Sequence, residues 1–346
     1  YKFALLRVLS RIAATAPGLA SNTSAGDVRI PLGLLSLYWL KAYWQLVERG
    51  VSQSTQAKLK FGPAMRRLIQ TGVLSVGLDV GASYSGAAAR ALYEALVKAR
   101  DTLRDGPMKH TTYWNSAQPI FVYDGNRRPK ETGSLSLTRD YLEAWGHARV
   151  PRDIWEAMRS HWVWIEPAVI TAWIEMTKSL GRKQASLPTR TYQEWLEWPV
   201  DLKRDTSLAR ARVDALGSSV CVWTGKKLGS TYEVDHIIPY SISGNNTLWN
   251  LAPATRVANN SKSARLPSAK LLLESRGRLV DWWRRAYVED AHLAPRFWRE
   301  AERYIPGYLF DPDRPIEENL EEVFEGVEWH LARIRRDQQI AEWSPS

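Results

Sequence analysis

Asp235 and His236 stand side by side in Glu233-Val234-Asp235-His236-Ile237-Ile238-Pro239, and Asn250, Asn259 and Lys262 follow within a short stretch. An imidazole titrates near neutral pH, so His236 suits the removal of a proton from water. The Asp235 carboxylate and the Asn259 amide oxygen are hard donors, better matched to Mg²⁺ or Mn²⁺ than to zinc. A base beside an oxygen-ligated cation can cut a phosphodiester. Water must lose a proton, charge on the phosphoryl oxygens must be neutralised, and the departing oxygen must be stabilised. Asn259 falls on a helix predicted after Thr255, a good N-cap. Lys262 lies at i+3 from it, on the same face, placed to meet a phosphate. Arg256, Asn260 and Arg265 complete the expected nucleic-acid contacts. Glu233 shares a strand face with Asp235. Support of a metal through water and a plain surface carboxylate are both open for it.

These residues come in a fixed order. Cys221-Val222-Trp223-Thr224-Gly225 precedes the Asp-His pair, and Asn250-Leu251 and Asn259-Asn260-Ser261-Lys262 follow it. The segment resembles the HNH (ββα-metal) endonucleases. It is closest to the variant with asparagine as last ligand, similar to the HNH domains of RNA-guided CRISPR nucleases and of restriction-type enzymes. The resemblance covers residues 217–268, about a sixth of the chain. It implies that the strand presents the ion and the attacking water on separate sides of one phosphate. It implies that Asn250, grouped with His236 and Lys262 in the catalytic set, ties the loop to the backbone around the histidine. It also implies cleavage to 5′-phosphate and 3′-hydroxyl ends, and a role in restriction or anti-phage defence. Many relatives brace the finger with two Cys-x-x-Cys pairs around zinc. Here Cys221 is the single cysteine and Thr224 stands where a second would be, so no structural zinc is expected. Trp223, Leu228 and Trp249 are expected to brace the finger by packing. Gly244 and Asn245 supply its turn.

The elements around this module read as helices. Phe3, Leu6, Leu9 and Ile12 recur at helical period. Pro31 suits the first turn of a helix to about Gly50. Further helices are expected over 63–70, 85–104, 152–180 with a break at Pro167, 192–198 and 207–216. Behind the module they cover 267–275, 279–288, 293–303 and 315–343. Ile120–Tyr123 and Ser134–Leu137 suggest a β-hairpin near 118–138, with Arg127, Arg128 and Lys130 at its tip. Gly181–Pro188 reads as a linker. The expected fold is mainly α with one small ββα finger. A helical region over 1–216 would serve recognition or partner binding, the nuclease module would occupy 217–268, and a helical region over 269–346 would pack on it.

Composition agrees with a globular nucleic-acid partner protein. The net charge is +10, and neutralising phosphates releases counterions. Hydrophobic residues make up 45%, enough for real cores. Most of the seventeen tryptophans sit at helical spacing and belong to the core. The longest apolar stretch, Ile30–Leu40, is too short to cross a bilayer, and no secretory signal is visible. A cytoplasmic location and no membrane are expected, although the chain begins at Tyr1. His110, His147, His161, His292 and His330 have no ligand-like spacing. Val76–Gly81 looks like the first motif of RNase H-like nucleases, yet helix follows at once and its other carboxylates are missing, so a strand-to-helix turn is preferred. The expected enzyme is a Mg²⁺- or Mn²⁺-dependent DNA endonuclease, as a homodimer or in a larger defence complex. The alternative is an effector subunit of a defence or guide-RNA complex, inactive without its partner.

Overall fold

The structure, a computed structural model, describes residues 1–53, 59–73, 78–125, 128–198, 205–217 and 219–345, without the side chains of Arg182 and Lys183. It is mainly helical with small sheets. The chain divides into two compact units, one of Tyr1–Ala14 with Leu19–Leu202 and one of Thr15–Gly18 with Lys203–Ser346.

The first unit joins helices α1 (Lys2–Thr15), α2 (Leu32–Glu48), α3 (Gly62–Gln70), α4 (Gly86–Leu103), α5 (Arg139–Glu143), α6 (Arg152–Ser179), α7 (Arg182–Ala185) and α8 (Thr189–Leu196). Its four-stranded sheet has the order β1 (Ser21–Asn22), β2 (Asp27–Pro31), β6 (His147–Pro151), β4 (Val122–Asp124). Pro31 ends β2 and Pro151 ends β6. Each fixes φ near −55° with an extended ψ, and a helix starts at the next residue. The long helix α6 runs through Pro167 without a break, and α7 occupies part of the expected linker.

The expected hairpin near 118–138 does not form. Its first strand, β4, pairs with β6, with Val122 opposite Arg149. Its second, β5 (Ser134–Ser136), pairs with β3 (Ser83–Ser85). Local turn signals suggested neighbours, but each strand finds a longer-range partner that connects it to a helix-backed core. Arg127, at the expected tip, lies outside the described residues, whereas Arg128 and Lys130 are exposed. Val76 and Gly77 also lie outside them. Leu78–Gly81 forms no strand, and Asp79 meets Lys41 at 3.4 Å.

The second unit contains α9 (Ser207–Leu216), β7 (Tyr232–His236), α10 (Tyr240–Ser243), β8 (Leu251–Thr255), α11 (Arg256–Lys262), β9 (Leu266–Pro267), α12 (Ala269–Trp283), α13 (Ala294–Tyr304), α14 (Ile316–Gln338) and β10 (Glu342–Trp343). Strands β7 and β8 are antiparallel, with Asp235 opposite Ala252 and His236 opposite Leu251. Helix α12 is continuous where two helices were expected, and its C-terminal end passes into a wide turn over Arg284–Val288. The core is rich in large aromatics, including Trp249, Trp283, Tyr287 and Phe297, all buried. No helix among the described residues is long and apolar enough to cross a membrane.

Candidate active site

Strand β7 alternates, so Asp235 and His236 project to opposite sides. Both are buried, at 4% and 2% exposure. The Asp235 carboxylate receives two donors. The indole Nε1 of Trp223 donates to Oδ2 at 2.7 Å. The ammonium of Lys262 lies 3.1 Å from each carboxylate oxygen and donates to the His236 carbonyl at 2.6 Å. The same ammonium stands 5.9 Å from the centre of a Trp223 ring, a cation–π distance.

Lys262 was expected to reach out to a phosphate. It turns inward instead and is fully buried. The reason is electrostatic. Helix α11 packs on β7, so the long Lys262 side chain starts above a buried carboxylate, and a buried carboxylate needs a cation. Asn259, one turn earlier on the same helix, is half-buried. Thr255 caps α11 by accepting from the Ala258 N–H at 3.3 Å.

His236 is held from its other side. Its Nε2 lies 3.0 Å from Oδ1 of Asn246, and Tyr240 meets the ring edge-on with centroids 5.4 Å apart. Asn250 is fully buried and closes the loop between the strands. Its Oδ1 accepts from the Ile238 N–H at 2.8 Å, and its Nδ2 donates to the carbonyls of Ile238 and Asn245 at 3.1 and 2.9 Å. Gly244 ends α10 with φ +60°, a conformation that favours glycine.

The segment before β7 folds into a tight knuckle without a metal-ligand pair. Cys221 and Gly225 are joined by a backbone bond of 2.8 Å, and Gly225 takes φ +69°. Arg278 of α12 donates to the Val222 carbonyl at 2.6 Å. Trp282 and Trp283 donate their indole N–H groups to the carbonyls of Leu251 and Trp249, at 2.8 and 3.0 Å. Trp343 donates to Ser261 at 2.9 Å and meets Trp223 edge-on. Helix α12 and the last strand thus hold the knuckle, β8 and α11 in place.

At the surface, Arg256, Asn260 and Arg265 are exposed. Arg265 bonds the carbonyls of Ser261 and Lys262 at the end of α11. Glu233 faces outward to Arg210 at 3.4 Å and Arg256 at 3.6 Å. Among the described residues, no three His, Cys, Asp or Glu side chains gather in a group suited to a metal ion. Asp235 offers a buried carboxylate on β7, and Asn259 offers an amide on the helix that packs against that strand.

Residues 1–196, more than half of the chain, match the family described as Domain of unknown function (DUF8808). The chain belongs to the DUF8808 family. Within this DUF8808 protein, residues 221–268 match the HNH endonuclease family. That match spans the knuckle, β7, β8 and α11, and it supports a nuclease acting on nucleic acid. No curated protein and no solved structure gives a match to the chain.

Sequence reasoning missed two contacts in this HNH segment. Trp223 was expected to brace the finger by packing, and it also donates to the carboxylate. Asn246 was overlooked beside Asn245. The paired asparagines directly after Gly244 were the available signal, since short amides in a turn next to a histidine are natural hydrogen-bond partners.

Proposed function

We propose that this DUF8808 protein is a metal-dependent DNA endonuclease whose ββα-metal finger hydrolyses phosphodiester bonds. The observation that carries the reading is the pairing on Asp235. A buried carboxylate beside His236 already seats a cation, the Lys262 ammonium, where a divalent ion would be held. The donor set fits Mg²⁺ or Mn²⁺: Asp235 and Asn259 would hold the ion, with water and phosphate oxygens completing it. A bound ion supplies neutralisation of the charge that grows on the phosphoryl and leaving oxygens. His236 takes the proton of the attacking water. Asn250 fixes the backbone at Ile238, just beyond the end of the strand that carries His236. Arg256, Asn260 and Arg265 face solvent and meet the DNA backbone. Products carry 5′-phosphate and 3′-hydroxyl ends, and the protein acts in the cytoplasm in restriction or anti-phage defence.

The low exposure of Asp235 and His236 favours a second reading alongside the first. In it, the chain is the nuclease subunit of a larger defence or guide-RNA complex and opens only with its partner. A plasmid-nicking assay with Mg²⁺, run on the purified chain and on His236→Ala, tests both. Nicking by the chain alone that disappears in the variant supports the enzyme reading. Silence without a partner supports the second. Nicking that survives in the variant removes His236 from the chemistry.

A further inference from the structure

We propose that Asn246 sets the tautomer of His236, making Nδ1 the nitrogen that accepts the proton. This deepens the nuclease reading and rests on it. A neutral imidazole carries hydrogen on one nitrogen and a lone pair on the other, whereas an amide oxygen only accepts. Oδ1 of Asn246 lies 3.0 Å from Nε2 of His236. A second partner identifies that atom as oxygen, because the backbone N–H of Asp205 donates to it at 3.2 Å. A backbone N–H can only donate, so two donors converge on one acceptor. Nε2 therefore carries the hydrogen, and Nδ1 holds the lone pair.

Both sides of this contact are fixed. Asp205 accepts from the N–H and the hydroxyl of Ser207 at 2.9 and 2.7 Å, which ties it to the start of α9. On the other side, Oδ1 of Asn245 accepts from the Thr247 N–H at 2.7 Å and holds the turn that carries Asn246. Asn246 is a positioning residue, acting on substrate only through the ring of His236. Such outer partners of a reacting histidine fix its tautomer and orientation.

The test reads the nitrogens directly. Long-range ¹H–¹⁵N correlation spectra of the full chain with labelled histidine are recorded at a pH where His236 is neutral, with Asn246→Leu, Asn246→Ala and Asn246→Asp beside the parent. His236→Gln assigns the signal. The parent shows a hydrogen-bearing Nε2 and a lone-pair Nδ1. Leucine or alanine removes the acceptor, and the Nδ1–H form becomes populated. Plasmid nicking then falls about 10–100-fold in kcat, with KM unchanged. Aspartate keeps an accepting oxygen and keeps the parent pattern. A parent with a lone-pair Nε2, or leucine and alanine variants that retain the parent pattern, overturns the proposal. If the tautomer moves and the rate does not, His236→Ala decides. An inactive His236→Ala sinks the Asn246 assignment alone, whereas a fully active one sinks the nuclease reading beneath it.

Discussion

Lys262 gives the clearest case of one residue's chemistry deciding what its neighbours can do. Its ammonium and the Asp235 carboxylate are both removed from water, and each is tolerable only because of the other. Removing one partner leaves a buried charge uncompensated. Lys262→Met is therefore expected to cost about 3–5 kcal/mol of stability. The same change vacates the cation position. A divalent ion binding the folded state at a hundred times its Kd adds about 2.7 kcal/mol. If Asp235 holds the ion as proposed, that gain is reduced in the parent, because the ion would have to compete with the ammonium. Thermal melts with and without Mn²⁺ are expected to show a larger metal-induced rise in Lys262→Met than in the parent. Equal rises would mean that lysine and ion do not share the carboxylate. Asp235→Asn and Asn259→Ala are expected to abolish Mg²⁺-dependent nicking while leaving DNA binding largely intact in a gel-shift assay. Loss of binding in both would assign them a structural role instead.

At the scale of elements, the finger depends on what lies behind it. Trp283 is fully buried, donates to the Trp249 carbonyl and packs against Phe297. Tyr287, whose phenol is pushed well above its usual range by burial, stays protonated and donates to the Leu251 carbonyl at 3.4 Å. Trp283→Ala is expected to cost about 3–5 kcal/mol through the cavity it leaves, measured by urea unfolding. A change below about 1 kcal/mol would show that α12 does not brace β8. The sequence made some of these elements easy to read and hid others. Helix α2 was legible because Pro31 marks its start and apolar residues recur along it. The HNH segment was legible because Asp235, His236, Asn250 and Asn259 stand in an unusual order and spacing, and the family match covers that segment. Strand β2 was hidden in a stretch that also suits a helix entrance, and the partners of β4 and β5 were hidden because pairing depends on distant residues. The inward turn of Lys262 was illegible for a related reason. A helical face tells which residues lie together, and only the packing of α11 on β7 tells whether that face looks at solvent or at a carboxylate.

For the whole molecule, the net charge of +10 would make the proposed association with DNA a salt-dependent event. Each phosphate neutralised releases condensed counterions, so the logarithm of affinity falls linearly with the logarithm of salt concentration. The buried and exposed cations of the HNH segment must then behave differently. Arg256 and Arg265 are exposed, and replacing either with alanine is expected to reduce the magnitude of that slope by about one. Lys262 is fully buried on Asp235, so its charge is already matched and adds no phosphate contact while that pair holds. Lys262→Met is expected to leave the slope unchanged in metal-free buffer. Fluorescence anisotropy on one short duplex, across a salt series without divalent ions, separates these cases. A slope lowered by about one in Lys262→Met would mean that the lysine leaves the carboxylate when DNA arrives, and that the closed arrangement of Asp235 and His236 opens on substrate. An unchanged slope in both arginine variants would instead move the proposed DNA contacts away from Arg256 and Arg265.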